Sequence, residues 1–395
     1  MKTRLRTSTK PRSNDSDYDR VAQIGPGQIG PGKIGPGQIG PGQLKTRSTT
    51  RELGPKRVDE PTVRPLRLRR LAAVLISAGA LVVAVALSLG LGSKGLSIGE
   101  VIDGLAGAGG EAGSIMREQR LPRTVAGIAV GAALAVAGAL IQAFTRNPLA
   151  DPGILGVNAG AALAIVVAVA FFGQTSASGY IWFSFVGAIA ATAVVVAIGA
   201  AGRRGPDPLR LTLAGVAVGA VLAGFTSSIS LLLPSVFDRL RYWGAGTLAG
   251  RDMELILFVL PFIVIGLVLA VLVSRPLNAV ALGDDIAAAL GSRIKLARLG
   301  SIVAVTLLCG AATALAGPIA FVGLMVPHAV RWFVGPDQRW IIAVSILAGP
   351  VLVLLADVLG RLVLPSGELS AGVVTAFIGA PVLIALVRRR KVSGL

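Results

Sequence analysis

Cysteine and histidine are almost missing from this chain of 395 residues, which has one of each, Cys309 and His328. One cysteine cannot form an internal disulfide, and one cysteine with one histidine cannot complete a four-ligand zinc site. Charge is scarce as well, because Asp, Glu, Lys and Arg make up 15% of the residues, against about 25% in soluble domains. So little charge cannot cover a surface that faces water on every side, which excludes an ordinary soluble domain.

Apolar residues and glycine take the place of charge. Hydrophobic residues make up 53% of the chain and the mean hydropathy is +0.75. The 51 glycines include pairs inside apolar runs, such as Gly127/Gly131, Gly156/Gly160 and Gly215/Gly219, a spacing typical of closely packed membrane helices. The composition therefore predicts an all-α, polytopic membrane protein whose work is transport and not bond chemistry.

The net charge of +18 is concentrated ahead of the first apolar run. Residues 1–70 contain 16 Lys and Arg against 6 Asp and Glu. Basic segments beside membrane helices stay on the cytoplasmic side. We interpret the excess as a topology signal that also contacts anionic lipid, and we expect no nucleic-acid binding.

Residues 1–65 are predicted to be a disordered basic tail. Four pentapeptides ending in IGPG fill residues 23–42, and glycine and proline at this density prevent helix and sheet. The polar first 20 residues predict no signal peptide. Gly27, Gly32 and Lys33 match the spacing of a phosphate-binding loop, but Ile34 offers no hydroxyl to Mg²⁺ and no strand precedes the match. We therefore expect no ATP binding through such a loop.

Charge-free apolar runs predict the membrane domain, residues 66–395. Most are close to the roughly 20 residues that cross a bilayer. The 32-residue run 299–330 is too long for one crossing and is predicted to break at Gly317-Pro318. The count is about ten spans, with both basic termini in the cytoplasm. The runs are 71–91, 124–144, 154–173, 180–201, 211–237, 255–274, 299–330, 340–356 and 371–387.

Four motifs, in this order, carry a family resemblance. They are RLPRTVAGIAVGAALAVAGALIQAFTRNPLADPGILGVNAG at 120–160, LGDDIAAALG at 282–291, AGPIAFVGLMVPHAVR at 316–331 and GELSAGVVTAFIGAP at 367–381. Together they resemble the permease subunits of ABC importers for iron–siderophore complexes, haem and cobalamin. The run RLTLAGVAVGAVLAGFTSSISLLLP at 210–234 is most similar to permeases for catecholate siderophores of the enterobactin type.

The resemblance implies a location and a set of partners. The chain is expected in the bacterial cytoplasmic membrane with a second permease, which is either a related chain or a second copy. Two ATPase subunits would dock on the cytoplasmic face, and an extracytoplasmic binding protein would deliver the ligand. No cofactor or protein-bound metal is implied, because the iron stays chelated by its siderophore. Cobalamin and haem stay open as alternative substrates.

The resemblance also marks candidate docking residues. Arg120 and Arg123 at the outer mouth of the second span, and Arg361 in ADVLGR, match arginines that pair with glutamates of the binding protein. Arginines at a rim steer encounter and fix register more than they add affinity. The alternative is that these side chains reach lipid headgroups or pair within the protein, with Glu118 or Asp357.

Two further segments are candidate sites. The glycine-bounded segment GDDIAAALG is predicted to be a short amphipathic helix that transmits ATPase closure, and the alternative is a solvated loop helix. Hydroxyls in the fifth span are candidates for lining the pathway, and the alternative is that they bond carbonyls of their own helix. The coupling candidates are Gly283, Asp284, Asp285, Ala287, Leu290 and Gly291; the pathway candidates are Thr226, Ser227 and Ser230.

Two other classes of protein fit the sequence less well. An ion-coupled carrier needs buried acidic residues, whereas Asp252, Glu254 and Asp357 are predicted near the outer ends of spans. A membrane-integral enzyme needs His, Asp or Glu clustered at one depth. His328 stands alone and is predicted to bond a backbone carbonyl.

Overall fold

A computed structural model describes residues 64–92, 95–107, 109–174, 176–201, 207–289, 291, 293–364 and 367–388. The predicted repeat tail, up to residue 63, lies outside the described residues, and so does Leu290 of the predicted coupling helix. The described residues form helices and their connections, with no strand among them.

Fourteen α-helices occupy the described part of the chain. A π turn, Ile115–Arg120, joins α3 to α4, and a 3₁₀ turn, Pro152–Leu155, precedes α5. The helices are α1 Arg64–Gly90, α2 Ile98–Leu105, α3 Glu111–Ser114, α4 Leu121–Thr145, α5 Val157–Phe172, α6 Ala177–Gly199, α7 Pro208–Leu232, α8 Pro234–Gly244, α9 Met253–Ala281, α10 Asp284–Ala289, α11 Ile294–Ala316, α12 Val322–Val334, α13 Gln338–Leu362 and α14 Ala371–Arg388.

Seven helical stretches in the described residues are long and apolar enough to cross a membrane. They lie in α1, the α3–α4 run, α6, α7, α9, α11 and α13. Three shorter apolar helices, α5, α12 and the first part of α14, accompany them. The predicted all-α, polytopic architecture is confirmed. The count of ten spans and the cytoplasmic position of both termini stay predictions.

The long apolar run at 299–330 breaks where glycine and proline predicted it. Helix α11 ends at Ala316 and α12 begins at Val322. Gly317 has φ +76° and Phe321 has φ +68°, both in the left-handed region that is rare for bulky residues.

The run 211–237, predicted as one span, also breaks. Helix α7 ends at Leu232, and Pro234 starts α8 after an extended Leu233. Proline disfavours the helical conformation of the preceding residue, so the break follows from the Leu-Pro pair.

Helix α4 is the central helix of the bundle. Its apolar stretch is 89% buried, against 11% for α1, because alanine and glycine around its circumference let neighbours approach from every side. A β-carbon at Gly138 would overlap the carbonyl oxygen of Gly323 in α12, and one at Gly131 would overlap the backbone of Gly349 and Pro350 in α13. Close packing predicted from glycine spacing is thus present at Gly131.

Candidate functional site

The three candidate docking arginines meet at one end of the bundle, around Asp357 of α13. Arg123 binds this carboxylate with two nitrogens of one guanidinium edge, Nε to Oδ2 at 2.9 Å and Nη2 to Oδ1 at 2.8 Å. Arg361 reaches the same group, with Nη2 3.1 Å from Oδ2. The remaining Nη1 of Arg123 donates to Glu368 Oε2 at 2.7 Å. Arg123, Arg361 and the two carboxylates are therefore bonded together, and Arg120 lies close enough to interact with both arginines by charge. We call these five residues the arginine cluster.

Arg120 and Arg361 hold the end of α1. The last carbonyls of a helix have no partner inside it. Arg120 Nη1 donates to Leu89 O at 2.6 Å, and Arg361 Nη1 donates to Ser88 O at 3.1 Å and Leu91 O at 2.8 Å. Positive side chains also suit the negative end of the helix dipole. The two arginines thus join α4 and α13 to the C-terminus of α1.

Burial separates the roles of the three arginines. Arg120 and Arg361 are 5% and 6% exposed, so they do not form the open rim that the sequence predicts. Arg123 keeps 11% of its side chain exposed and Glu368 keeps 35%. Helical structure begins at Glu111 and not near residue 120, which places Arg120 and Arg123 well inside the helical run. The accessible part of the arginine cluster is therefore Arg123 with Glu368.

Asp357 lies near the end of the span formed by α13, Gln338–Leu362, as the sequence predicts, and it is fully buried. Its burial was not predicted, because its partner Arg123 lies 234 positions away in the chain. Pairing within the protein, one of the two interpretations left open, is present for Arg123 and Arg361. Glu368 and Ser88 were missed, although Glu368 stands in the GELS motif.

The predicted coupling segment forms a short helix, α10, between two glycines. Gly283 has φ +115° and Gly291 has φ +72°, values at which a β-carbon is strained. Ala287 is fully buried, whereas Leu282 and Ile286, four residues apart, are 60% and 51% exposed. Asp285 is exposed and Asp284 starts the helix. The helix is therefore anchored through Ala287, while Ile286 on it and Leu282, at the end of α9 just before it, expose apolar side chains.

The hydroxyls of α7 divide between two faces. Thr226 and Ser230 are 7% and 5% exposed, and Thr226 Oγ1 donates to Leu222 O at 2.8 Å. Ser228 bonds Gly224 O in the same way, as the alternative interpretation holds. Ser227 is exposed, so it is the one of the three pathway candidates that reaches the surface of this chain.

The sequence pattern of the FecCD transport family matches residues 80–389. The chain belongs to the FecCD transport family. It is 51% identical over 315 residues to the ferric enterobactin transport system permease protein FepD of Escherichia coli K12, which covers 80% of this chain and 94% of FepD. It is 40% identical over 277 residues to the iron(3+)-hydroxamate import system permease protein FhuB of Bacillus subtilis, covering 70% and 72% of the two chains.

A solved structure supports the same assignment. An inward-facing conformation of a metal-chelate type ABC transporter superposes with a TM-score of 0.72 and 26% identity, covering 81% of this chain and 99% of the other. FecCD proteins are transport permeases of the cytoplasmic membrane, so the predicted class and location are confirmed. The family also implies work with an ATPase, a binding protein and a second permease.

A cavity with a few polar groups in a mostly apolar lining was not predicted. It has a volume of about 280 Å³ and lies beside the break between α11 and α12. Asp151 borders it and accepts a hydrogen bond from Gly153 N at 2.8 Å, while Thr313 donates to Asn158 at 3.0 Å. Burial raises the pKa of Asp151, although the bond from Gly153 opposes the shift. The signal that the sequence offered for this cavity was a single acidic residue, Asp151, in an apolar connection between helices.

Asp337 organises the end of the bundle opposite the arginine cluster. Its Oδ1 accepts from Asn278 Nδ2 at 2.8 Å, and its Oδ2 accepts from Arg339 Nη2 at 3.1 Å. Burial opposes ionisation, but the hydrogen bonds from Arg339 and Asn278 prevail and hold the pKa of Asp337 below its usual value.

His328 shows no sign of a metal site. Its ring meets Trp332 edge-on with centroids 5.2 Å apart, and its Nδ1 is buried with no hydrogen-bond partner. The predicted bond to a backbone carbonyl is therefore not made by this nitrogen. Within the described ranges, no three His, Cys, Asp or Glu side chains come close enough to hold a metal ion.

Proposed function

We propose that this FecCD permease moves a ferric siderophore of the catecholate class through an ABC importer in the cytoplasmic membrane. The observation that carries the proposal is the 51% identity to the ferric enterobactin permease, over 94% of that protein's length. Other relatives have names that refer to hydroxamate and citrate complexes of iron. Since the match to the enterobactin permease has the highest identity of these, a catecholate is the substrate to test first.

Energy for transport is proposed to come from separate ATPase subunits that bind at α10. The exposed pair Leu282 and Ile286 offers an apolar contact, and the buried Ala287 ties its motion to α9, against which α10 packs. Replacing Ile286 by Glu is expected to lower ATPase co-purification and to abolish uptake. The matched control is Leu296→Glu, because Leu296 is 61% exposed but lies in α11. Equal losses in both variants would contradict a specific role for α10.

An ion-coupled mechanism receives no support from the buried acid in α13. Carriers relay ions through carboxylates that change protonation or partner. Asp357 is instead held by two arginines at hydrogen-bond distance, so it already has fixed partners within the protein.

Docking of the binding protein is proposed at Arg123, with Arg120 and Arg361 fixing its position. The arginine cluster carries three cations and two carboxylates, so it attracts an acidic partner. Arg123→Gln is expected to slow association with the binding protein several-fold and to weaken the dependence of the rate on salt, because rim charges act on encounter. Arg210→Gln is the control, since Arg210 is 60% exposed on α7. An unchanged association rate in a folded Arg123→Gln protein would remove the assignment.

The substrate proposal is tested in proteoliposomes that hold the whole complex with its binding protein. ATP-dependent accumulation of labelled ferric catecholate is the expected result, with little accumulation of ferric hydroxamate, haem or cobalamin. Accumulation of cobalamin or haem in place of ferric catecholate would overturn the substrate assignment while keeping the importer. Accumulation without any ATPase subunit would overturn both.

A further inference from the structure

An open groove of about 400 Å³ runs along the surface between α1, α12 and α13. Its walls are apolar apart from the Ser77 hydroxyl, and Ile76 and Phe333 at its edge are 71% and 59% exposed. Helix α1 buries little of its surface in the bundle. The groove therefore opens toward the membrane and not toward the core.

The length of the groove matches one leaflet of a bilayer. Its lining on α13 runs from Val344 to Leu355, which at 1.5 Å per residue is roughly 16 Å. Half of a hydrocarbon core about 30 Å thick is roughly 15 Å. An acyl chain of a single leaflet would therefore fill the groove from end to end.

Cationic side chains gather at one end of the groove. Arg69 and Arg70 precede the lining residue Ala73 by about one helical turn, and Arg339 lies about one and a half turns before Val344. Arg69 Nη2 donates to Trp332 O at 3.1 Å, which pins it beside the end of α12. Arg339 keeps 52% of its side chain exposed.

The balance of charge at this end is positive. Arg67 and Arg69 are exposed, and Asp337 is the carboxylate that neutralises part of the charge, with contacts to Arg339 and Arg70 at 3.1 Å and 3.9 Å. Trp332 is 56% exposed beside them, as aromatic residues are at the boundary between hydrocarbon and headgroups. Among the residues that the structure describes at this end, four arginines stand against one aspartate at headgroup level, which complements a phosphate.

We propose that this groove is a binding site for one anionic phospholipid. An acyl chain occupies the groove between α1, α12 and α13, and the headgroup phosphate is held by Arg67, Arg69 and Arg339. Arg70 supports the site from behind, because its Nε donates to Val334 O at 3.1 Å and its guanidinium lies 5.6 Å from the centre of the Trp340 ring. The lipid would join the first helix to the α12–α13 corner.

Native mass spectrometry of the full chain, released from detergent with added phosphatidylglycerol or phosphatidylcholine, tests the site. We expect one phosphatidylglycerol to be retained preferentially. Arg67→Gln with Arg69→Gln should weaken its retention about fivefold for each arginine, since basic residues near a membrane surface contribute at that level. The control pair is Arg210→Gln with Arg241→Gln, whose side chains are also exposed but lie on α7 and α8. The basic residues ahead of Arg64 are the same in every variant, so they cannot explain a difference.

A second variant tests the groove independently of charge. Ala348→Phe places a ring inside the groove and leaves all four arginines unchanged, so retention of phosphatidylglycerol should fall while the affinity for inorganic phosphate stays the same. Equal retention of both lipids by the natural chain would overturn the proposal. So would unchanged retention in either the arginine variant or Ala348→Phe.

Discussion

The arginine cluster makes a sharp prediction for the replacement of Asp357 by Asn. The change keeps the shape of the side chain but removes the charge that two guanidiniums share. Arg123 and Arg361 would then lie close together inside the bundle with Glu368 as the nearest remaining anion. Because Asp357 is fully buried, water cannot take the place of the lost charge.

The size of the effect follows from the burial of this pair. Removal of one partner from a buried ion pair costs about 3–5 kcal/mol. Asparagine retains one acceptor oxygen and Glu368 still contacts Arg123, so we expect the lower end of that range, about 3 kcal/mol. With about 2 °C per kcal/mol for a chain of this size, the melting midpoint should fall by about 6 °C.

The measurement is thermal melting of the full chain in detergent, followed by the loss of its monodisperse gel-filtration peak. Asp207→Asn is the matched control, because Asp207 is 50% exposed and lies 4.0 Å from Arg210. Exposed pairs contribute at most about 1 kcal/mol, so the control should shift by about 2 °C or less. If Asp357→Asn melts within that same margin of the natural chain, the cluster does not hold the helices together as described.

Two further predictions concern the opposite end and the core. The pKa of Asp337 is lowered in the folded state from 3.8. Its contribution to stability is therefore present above that value and is lost as pH falls through the lower folded pKa. The melting midpoint of the natural chain should exceed that of Asp337→Asn near neutral pH, and the gap should shrink as pH falls below 3.8. Gly138→Ala should melt well below the natural chain, because its new β-carbon meets the Gly323 carbonyl and overpacking costs about 1–3 kcal/mol. The control Gly219→Ala should melt at or above the natural midpoint, because its new β-carbon meets open space. A constant gap across pH, or equal effects of the two alanines, would contradict these assignments.

The sequence predicted features that depend on local chemistry. The break at Gly317-Pro318 and the short helix between Gly283 and Gly291 are both confirmed, because glycine and proline act on their own segment of backbone. The break before Pro234 carried an equally local signal, but averaging hydropathy over a long run concealed it.

Features that depend on distant partners were not predictable. The position of Asp357 near the end of a span can be read from the sequence, but its burial depends on Arg123, which only the fold brings beside it. The same holds for Asp151, whose cavity is closed by α11, and for Arg120, whose acceptor is a carbonyl of α1. Hydropathy describes the partition of a segment into lipid and carries no information on which helix lies next to it.

Arg120 and Arg361 bond the last carbonyls of α1, and this arrangement has a consequence for how the protein is made. Arg361 bonds the carbonyl of Ser88 across 273 positions of the chain. At a synthesis rate of about 5–20 residues per second, the ribosome needs roughly 14 to 55 s to cover that distance. Through this interval Arg120 can bond Leu89, but the bonds from Arg361 to Ser88 and Leu91 are missing, and a polypeptide truncated before α13 never forms them. Premature release would therefore leave a loosely held first helix, a defect that a membrane protease could recognise. A finished arginine cluster would report that synthesis has passed Glu368.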